Sequence, residues 1–167
     1  MTRREREVTD IQEMVSILDR SKVLHLGLVD DGQPYIVPMN YGYEMDEEHR
    51  LTIYLHSSKV GYKLSVIRKS PKCCFELECG LQPFEGKVAC QYGMVYESMM
   101  GKGTITEVED TEEKIKAMTL LMKTQTGKDF SFNDRLVSIV SVLRIDVTEY
   151  TAKRRPLPGA MEESGKL

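Results

Sequence analysis

A histidine, two serines and two lysines fall within residues 56–63 of this chain: His56, Ser57, Ser58, Lys59 and Lys63. They sit where RLTIYLH, an apolar run at 50–56 with strand-like alternation, gives way to a different period. From there Val60, Leu64 and Ile67 recur at spacings of four and three, which predicts a helix over 58–69 ending near Pro71. A helix N-terminus leaves backbone N–H groups without partners and carries partial positive charge, so it suits a phosphate. Two hydroxyls and two ammonium groups would converge there, with Lys59 and Lys63 at i and i+4 on one face. The plainer reading of the same residues is a serine N-cap followed by solvated lysines. His56, at the end of the strand, is the one histidine placed to exchange a proton with a substrate. His25 lies mid-strand and His49 in an acidic turn.

The elements that must position this cluster follow from pattern. Asp10 with Glu13 forms a capping box, and Ile11, Met14, Val15 and Leu18 mark a helical face over 10–20. KVLHLGLV at 22–29 and QPYIVPMNYGYE at 33–44 are strands joined through Asp-Asp-Gly, a tight-turn signal. Pro34 and Pro38 cannot donate to a ladder, so the second strand belongs at an edge, a bulge or a ligand-facing position. KCCFELE is a further strand, and residues 80–92 form a loop or irregular strand. MVYESMMGKGTITEVE is a long strand with a bend at Gly101 and Gly103. Asp110 and Glu113 begin another helix, whose face is Ile115, Met118, Leu121 and Met122. The last strand spans 137–150, and 151–167 is a polar tail. Strands joined by hairpins with helices between them predict a mainly β, α+β fold, an antiparallel sheet or small barrel with peripheral helices over residues 1–150.

Composition narrows the function. The chain has 167 residues, a net charge of −3 and 41% hydrophobic residues, the profile of one folded globule. An acidic balance argues against a nucleic-acid partner. No apolar run approaches the length of a membrane span, and MTRREREVTD has no apolar core of a secretory signal, so a cytoplasmic protein is expected. Cys73, Cys74, Cys79 and Cys90 lack ligand-pair spacing, so no metal site is expected and the cysteines read as reduced and buried. Gly101-Lys102-Gly103 has no third glycine and opens no helix, which excludes a dinucleotide fingerprint.

Three segments resemble the pyridoxamine 5′-phosphate oxidase-like flavoproteins, and within them the 5-nitroimidazole-resistance group. GQPYIVPMNYGYE resembles the strand along the isoalloxazine ring, IYLHSSKVGYKLSVIRKSPKCCFE the phosphate-binding strand-helix unit, and YESMMGKGTITEVED the strand bordering the flavin. The resemblance implies an FMN-binding split β-barrel that forms a homodimer with FMN at the interface. It implies that Val37, Pro38, Met39 and Asn40 face the ring, largely through the backbone. His56 and Ser57 would lie beside ring and ribityl chain, Lys59 and Lys63 would hold the phosphate, and Ser98 would approach from the border strand. Relatives often carry Gly-Arg-Lys where this chain has Gly61-Tyr62-Lys63. The implied activity is reduction of a small electron-poor acceptor, such as a nitroaromatic, with electrons from a nicotinamide nucleotide. His56 would be the catalytic residue. The alternatives are a flavin- or haem-binding protein without turnover, and a deazaflavin in place of FMN.

Overall fold

In the computed structural model, which describes residues 4–158, Asp10 accepts a hydrogen bond from the Glu13 amide at 3.0 Å. The helix it caps, α1 (Ile11–Arg20), buries Ile17 and Leu18. Strands β2 (Leu24–Asp30) and β3 (Gln33–Met39) form the hairpin expected from Asp-Asp-Gly. Asp31 and Gly32 have φ of 48° and 84°, the left-handed pair that a two-residue hairpin turn requires.

The remaining strands are β1 (Glu7–Val8), β4 (Tyr41–Met45), β5 (Leu51–Ser57), β6 (Lys72–Phe84), β7 (Gly93–Glu107) and β8 (Ser141–Arg155). Helix α2 (Tyr62–Lys69) follows β5, and α3 (Thr111–Thr126) and α4 (Asp134–Val137) lie between β7 and β8. Every pairing is antiparallel, in the order β3-β2-β6-β7-β8-β5-β4, with β1 added on β8. The two end strands, β3 and β4, are separated by Asn40 alone yet do not pair. The sheet therefore curls without closing, which is an antiparallel split barrel with peripheral helices. Where sequence pattern predicts one strand over 33–44, Asn40 divides it in two. β3 is an edge, which explains how Pro34 and Pro38 are tolerated.

Alternate residues of the strands, among them Leu24, Leu26, Ile53, Leu55, Phe75, Leu77, Leu143 and Ile145, fill the barrel. A smaller cluster lies beneath α3: Tyr54, Val108, Ala117, Met118, Val137 and Val142. Helix α3 reaches β4 because position 42 is glycine. A Cβ there would stand 2.3 Å from the Leu121 backbone nitrogen.

Residues 80–84 take the irregular-strand form expected of 80–92, continuing β6 through a bulge between Cys79 and Gln82. Two expectations are corrected. The final strand begins at Ser141 rather than 137, because 134–137 form α4. It also continues past Tyr150 to Arg155, so residues 151–155 are strand and not tail. Ala152 is buried opposite Met99, and Arg154 binds Glu97 and Glu13 at 2.7 and 3.1 Å, which holds that extension on the sheet. Residues 159–167 of the expected tail lie outside the described residues. No helix among the described residues is long and apolar enough to cross a membrane. Of the cysteines, Cys73 and Cys79 are buried, while Cys74 and Cys90 are exposed.

Candidate functional site

Strand β5 carries His56 and Ser57 to the rim of the barrel, opposite Val142 and Ser141 of β8. Beyond it the chain makes bends over 59–61 before α2 begins at Tyr62. The helix therefore starts later than its apolar spacing suggests. Gly61, with φ of 148°, stands at the N-cap, and its carbonyl accepts from the Leu64 amide at 3.2 Å. No side chain caps this terminus. Ser57 Oγ donates to the Ser58 carbonyl at 2.8 Å, and Ser58 Oγ donates to the Val60 carbonyl. A cavity of about 270 Å³ lies at this end of α2, lined by Tyr35, Ser57, Ser58, Gly61, Tyr62 and Lys63 among others. A space of this size holds a fragment such as a phosphate, not a whole cofactor.

Lys63 and Lys59 part company. Lys63 is half-buried, and its Nζ lies 3.6 Å from Met39 Sδ. Burial lowers its pKa, and no carboxylate among the described residues offsets that burial. An ammonium whose one hydrogen-bond partner among the described residues is a thioether is under-satisfied and fits an anion. Lys59 is off the helix and lines a different cleft, with Arg68, Glu107, Lys114 and Ser141. Arg68 there is already paired with Glu107 at 2.6 Å. The i, i+4 convergence expected of the two lysines therefore does not form, because Gly61 postpones the helix.

His56 supplies the second unsatisfied group. Its Nδ1 is buried and has no hydrogen-bond partner. Burial, with the Lys63 charge beside it, holds the imidazole below its ordinary pKa. The ring is thus neutral at pH 7, with one nitrogen carrying a proton and the other free to accept. An orphaned buried nitrogen costs about 1–3 kcal/mol unless a ligand completes it.

The strand expected to face a ring is β3 with Asn40. Val37 is half-buried against the core, Pro38 is exposed and Met39 is buried. Asn40 Nδ2 donates to the Lys22 carbonyl and to Gln125 Oε1, both at 3.1 Å, so its side chain is committed to α3. A ligand on this segment would meet mainly backbone. Ser98 is not brought to the cluster within one chain. It pairs with Lys153, whereas His56 pairs with Val142, eleven residues earlier on β8.

Asp30 and Tyr35, which sequence reasoning missed, brace the cavity through Tyr62. Tyr62 Oη donates to Asp30, whose carboxylate also accepts from Lys69 Nζ at 3.0 Å. Those two hydrogen bonds hold Asp30 below the usual carboxylate range. Tyr35 packs edge-on against Tyr62, ring centres 5.2 Å apart. The hairpin turn is thereby tied to α2. No local pattern links positions 30 and 62, so only the fold reveals this. A larger cavity, about 430 Å³, lies between Asp19, Lys22, Tyr43, Leu120 and Lys123. Its cations are already used: Lys22 donates to the Asp19 and Thr124 carbonyls, and Lys123 pairs with Asp129. The smaller cavity is the better anion site.

Residues 10–154, which contain all of this geometry, match the sequence profile of the pyridoxamine 5′-phosphate oxidase family. The chain belongs to that family. A solved structure similar to it is a candidate 5-nitroimidazole antibiotic resistance protein from Bacteroides thetaiotaomicron VPI-5482, 34% identical, with a TM-score of 0.75 over 89% of this chain and 86% of that one. The same fold recurs in a flavocytochrome from Azotobacter vinelandii, with a TM-score of 0.73 and 17% identity over 99% of this chain and 78% of that one. It recurs again in a FAD- and haem-binding protein from Mycobacterium smegmatis, with a TM-score of 0.73 and 14% identity over 97% of this chain and 80% of that one. At those identities the last two establish fold alone. None of the curated proteins matches. Within the family fold, Lys63, Met39 and His56 are the predicted site residues that converge.

Proposed function

We propose that this chain binds FMN and reduces a small electron-poor acceptor such as a nitroaromatic, with electrons drawn from a nicotinamide nucleotide. The observation that carries the reading is the half-buried Lys63 ammonium, set against Met39 at the uncapped start of α2 with no carboxylate to neutralise it. Lys63 and the first N–H groups of α2 would hold the phosphate. The β3 backbone from Val37 to Asn40 would lie along the ring, with Ser57 beside the ribityl chain. A bound flavin supplies the redox chemistry, and the protein supplies position and field. The neutral imidazole of His56 would hold a proton at one ring nitrogen and hydrogen-bond ligand or acceptor. The phosphate-sized cavity at the start of α2 and the absence of a dinucleotide fingerprint favour FMN over FAD. The 34% identical structure supports the nitroaromatic class.

A homodimer belongs to the same reading. Ser98 pairs eleven residues further along β8 than His56 does, which favours its approaching the flavin of a second copy of the chain. The outward sheet face also exposes Ile36 and Met100, at 66% and 55%, which a two-fold interface would cover. Light scattering on the native protein tests this, and a monomer that retains its flavin would reject it.

The decisive experiment is release of the chromophore from purified or reconstituted protein by heat, followed by chromatography. FMN is expected; FAD, haem or no chromophore overturns the cofactor. Steady-state oxidation of a nicotinamide nucleotide with nitroaromatic acceptors then separates an enzyme from a flavin carrier without turnover.

A further inference from the structure

The outward face of the sheet, away from the barrel core, gathers three side chains that the flavin reading does not use. His25 of β2 pairs in register with Glu76 of β6, and Glu78 follows two residues on, so all three project to one face. His25 Nδ1 lies 3.2 Å from Glu76 Oε2. One ligand atom from each of His25, Glu76 and Glu78 lies within 4.8 Å of the other two, and all three residues are half-buried.

The surroundings give the two carboxylates little positive charge. Their cross-strand neighbours on β7 are Met100 and Ser98, and His25 faces Pro38 on β3. Among the described residues neither glutamate is ion-paired with a lysine or arginine, and His25 is the one basic partner of Glu76. Two like charges side by side on one sheet face repel. A cation between the carboxylates would convert that repulsion into attraction.

We propose that His25, Glu76 and Glu78 form a site for a divalent transition metal of the Zn²⁺ class. Zinc binds imidazole nitrogen and carboxylate oxygen at about 2.0–2.2 Å, which in a tetrahedron sets ligand atoms roughly 3.3–3.5 Å apart. The 3.2 Å separation of His25 and Glu76 is close to that spacing, and Glu78 lies within 4.8 Å of both. One imidazole with two carboxylates suits Zn²⁺ or Mn²⁺. Mg²⁺ and Ca²⁺ prefer all-oxygen shells, and soft metals prefer thiolates. Sequence spacing could not reveal the set, because His25 and Glu76 are brought together only by strand pairing. The site does not depend on Lys63, but its neighbours Met100, Ser98 and Pro38 belong to the face that the proposed flavin and dimer would cover, so zinc uptake is read on the flavin-loaded protein as well.

The test is calorimetric titration of chelator-treated, full-length protein with ZnCl₂. Saturable uptake of one Zn²⁺ per chain is expected. His25→Gln and Glu78→Gln should each weaken it by at least about tenfold, since even changes behind a metal ligand cost about 10–100-fold. His49→Ala, in an exposed turn, should bind as the unaltered chain does, and excess Mg²⁺ should not displace the zinc. If His25→Gln fails to fold by near-ultraviolet circular dichroism, Glu78→Gln decides. Absence of saturable uptake, unchanged affinity in Glu78→Gln, loss of uptake in His49→Ala or displacement by Mg²⁺ would each overturn the assignment.

Discussion

The ammonium of Lys63, in the first turn of α2, ends 3.6 Å from the sulfur of Met39, the last residue of β3. That contact joins the strand expected to carry a flavin ring to the helix end expected to hold its phosphate. A thioether is a weak acceptor, so the lysine's charge remains available to a ligand.

Lys63→Ala removes that charge. Hydrogen bonds to charged groups are worth about 1.5–3 kcal/mol, so FMN affinity should fall by roughly ten- to a hundredfold. Lys59→Ala should leave it unchanged, because Lys59 lines the separate cleft with Arg68 and Glu107. Titration of apo-protein by flavin fluorescence measures both. Equal losses would mean that one phosphate bridges both lysines; no loss in Lys63→Ala would remove the anion site.

His56→Ala should keep most FMN affinity and lose about 10²–10⁴-fold in turnover at saturating cofactor, the usual worth of a positioned proton donor. Unchanged turnover would take His56 out of the chemistry.

His56 also predicts a pH dependence of stability. Burial and the Lys63 charge depress its folded-state pKa below 6.5, so between those two values the unfolded chain binds more protons. The contribution is fully present above about pH 6.5 and is lost as pH falls through the folded value. Urea midpoints of the native chain should drop from about pH 7.5 to 5.5 more than those of His56→Gln. Parallel drops would show that other groups dominate.

Gly42→Ala should be severe. The new Cβ would meet the backbone of Leu121 at 2.3 and 2.4 Å, and a helix backbone cannot yield as a side chain can. A loss at or above the top of the range of about 1–3 kcal/mol for overpacking is expected from urea unfolding. A near-neutral result would mean that α3 docks less closely on β4.

Arg154→Ala tests the β8 extension. Arg154 joins Glu97 to Glu13, and Glu97, though burial alone would raise its pKa, is held below the ordinary range by Arg20 and Arg154. Because Arg154 is partly exposed, a loss near 1 kcal/mol is expected. Lys102→Ala should change the urea midpoint far less, since both members of the Lys102–Glu149 pair are exposed. The reverse order would contradict the structure.

Much of this molecule is legible in local pattern. Capping boxes at Asp10 and Asp110 place α1 and α3, and both side chains accept from the third residue onward, as such boxes do. Asp31-Gly32 announces its hairpin, because few residues tolerate positive φ. The crowding of His56, Ser57 and Lys63 points to the cavity, and the family resemblance agrees with the matched profile. These signals are readable because each depends on residues within a turn or two. What local pattern could not decide was which groups meet. Gly61 and Lys59 look like parts of one helix, yet the backbone at Gly61 sends Lys59 to another cleft. The split between β3 and β4 at Asn40, the Asp30–Tyr62 tie and the pairing of residues 151–155 all join segments distant in sequence or depend on the whole sheet. Hydrophobic period and turn chemistry select the elements. Only burial in a shared core and strand register determine which side chains are left without partners, and those are the groups a ligand would satisfy.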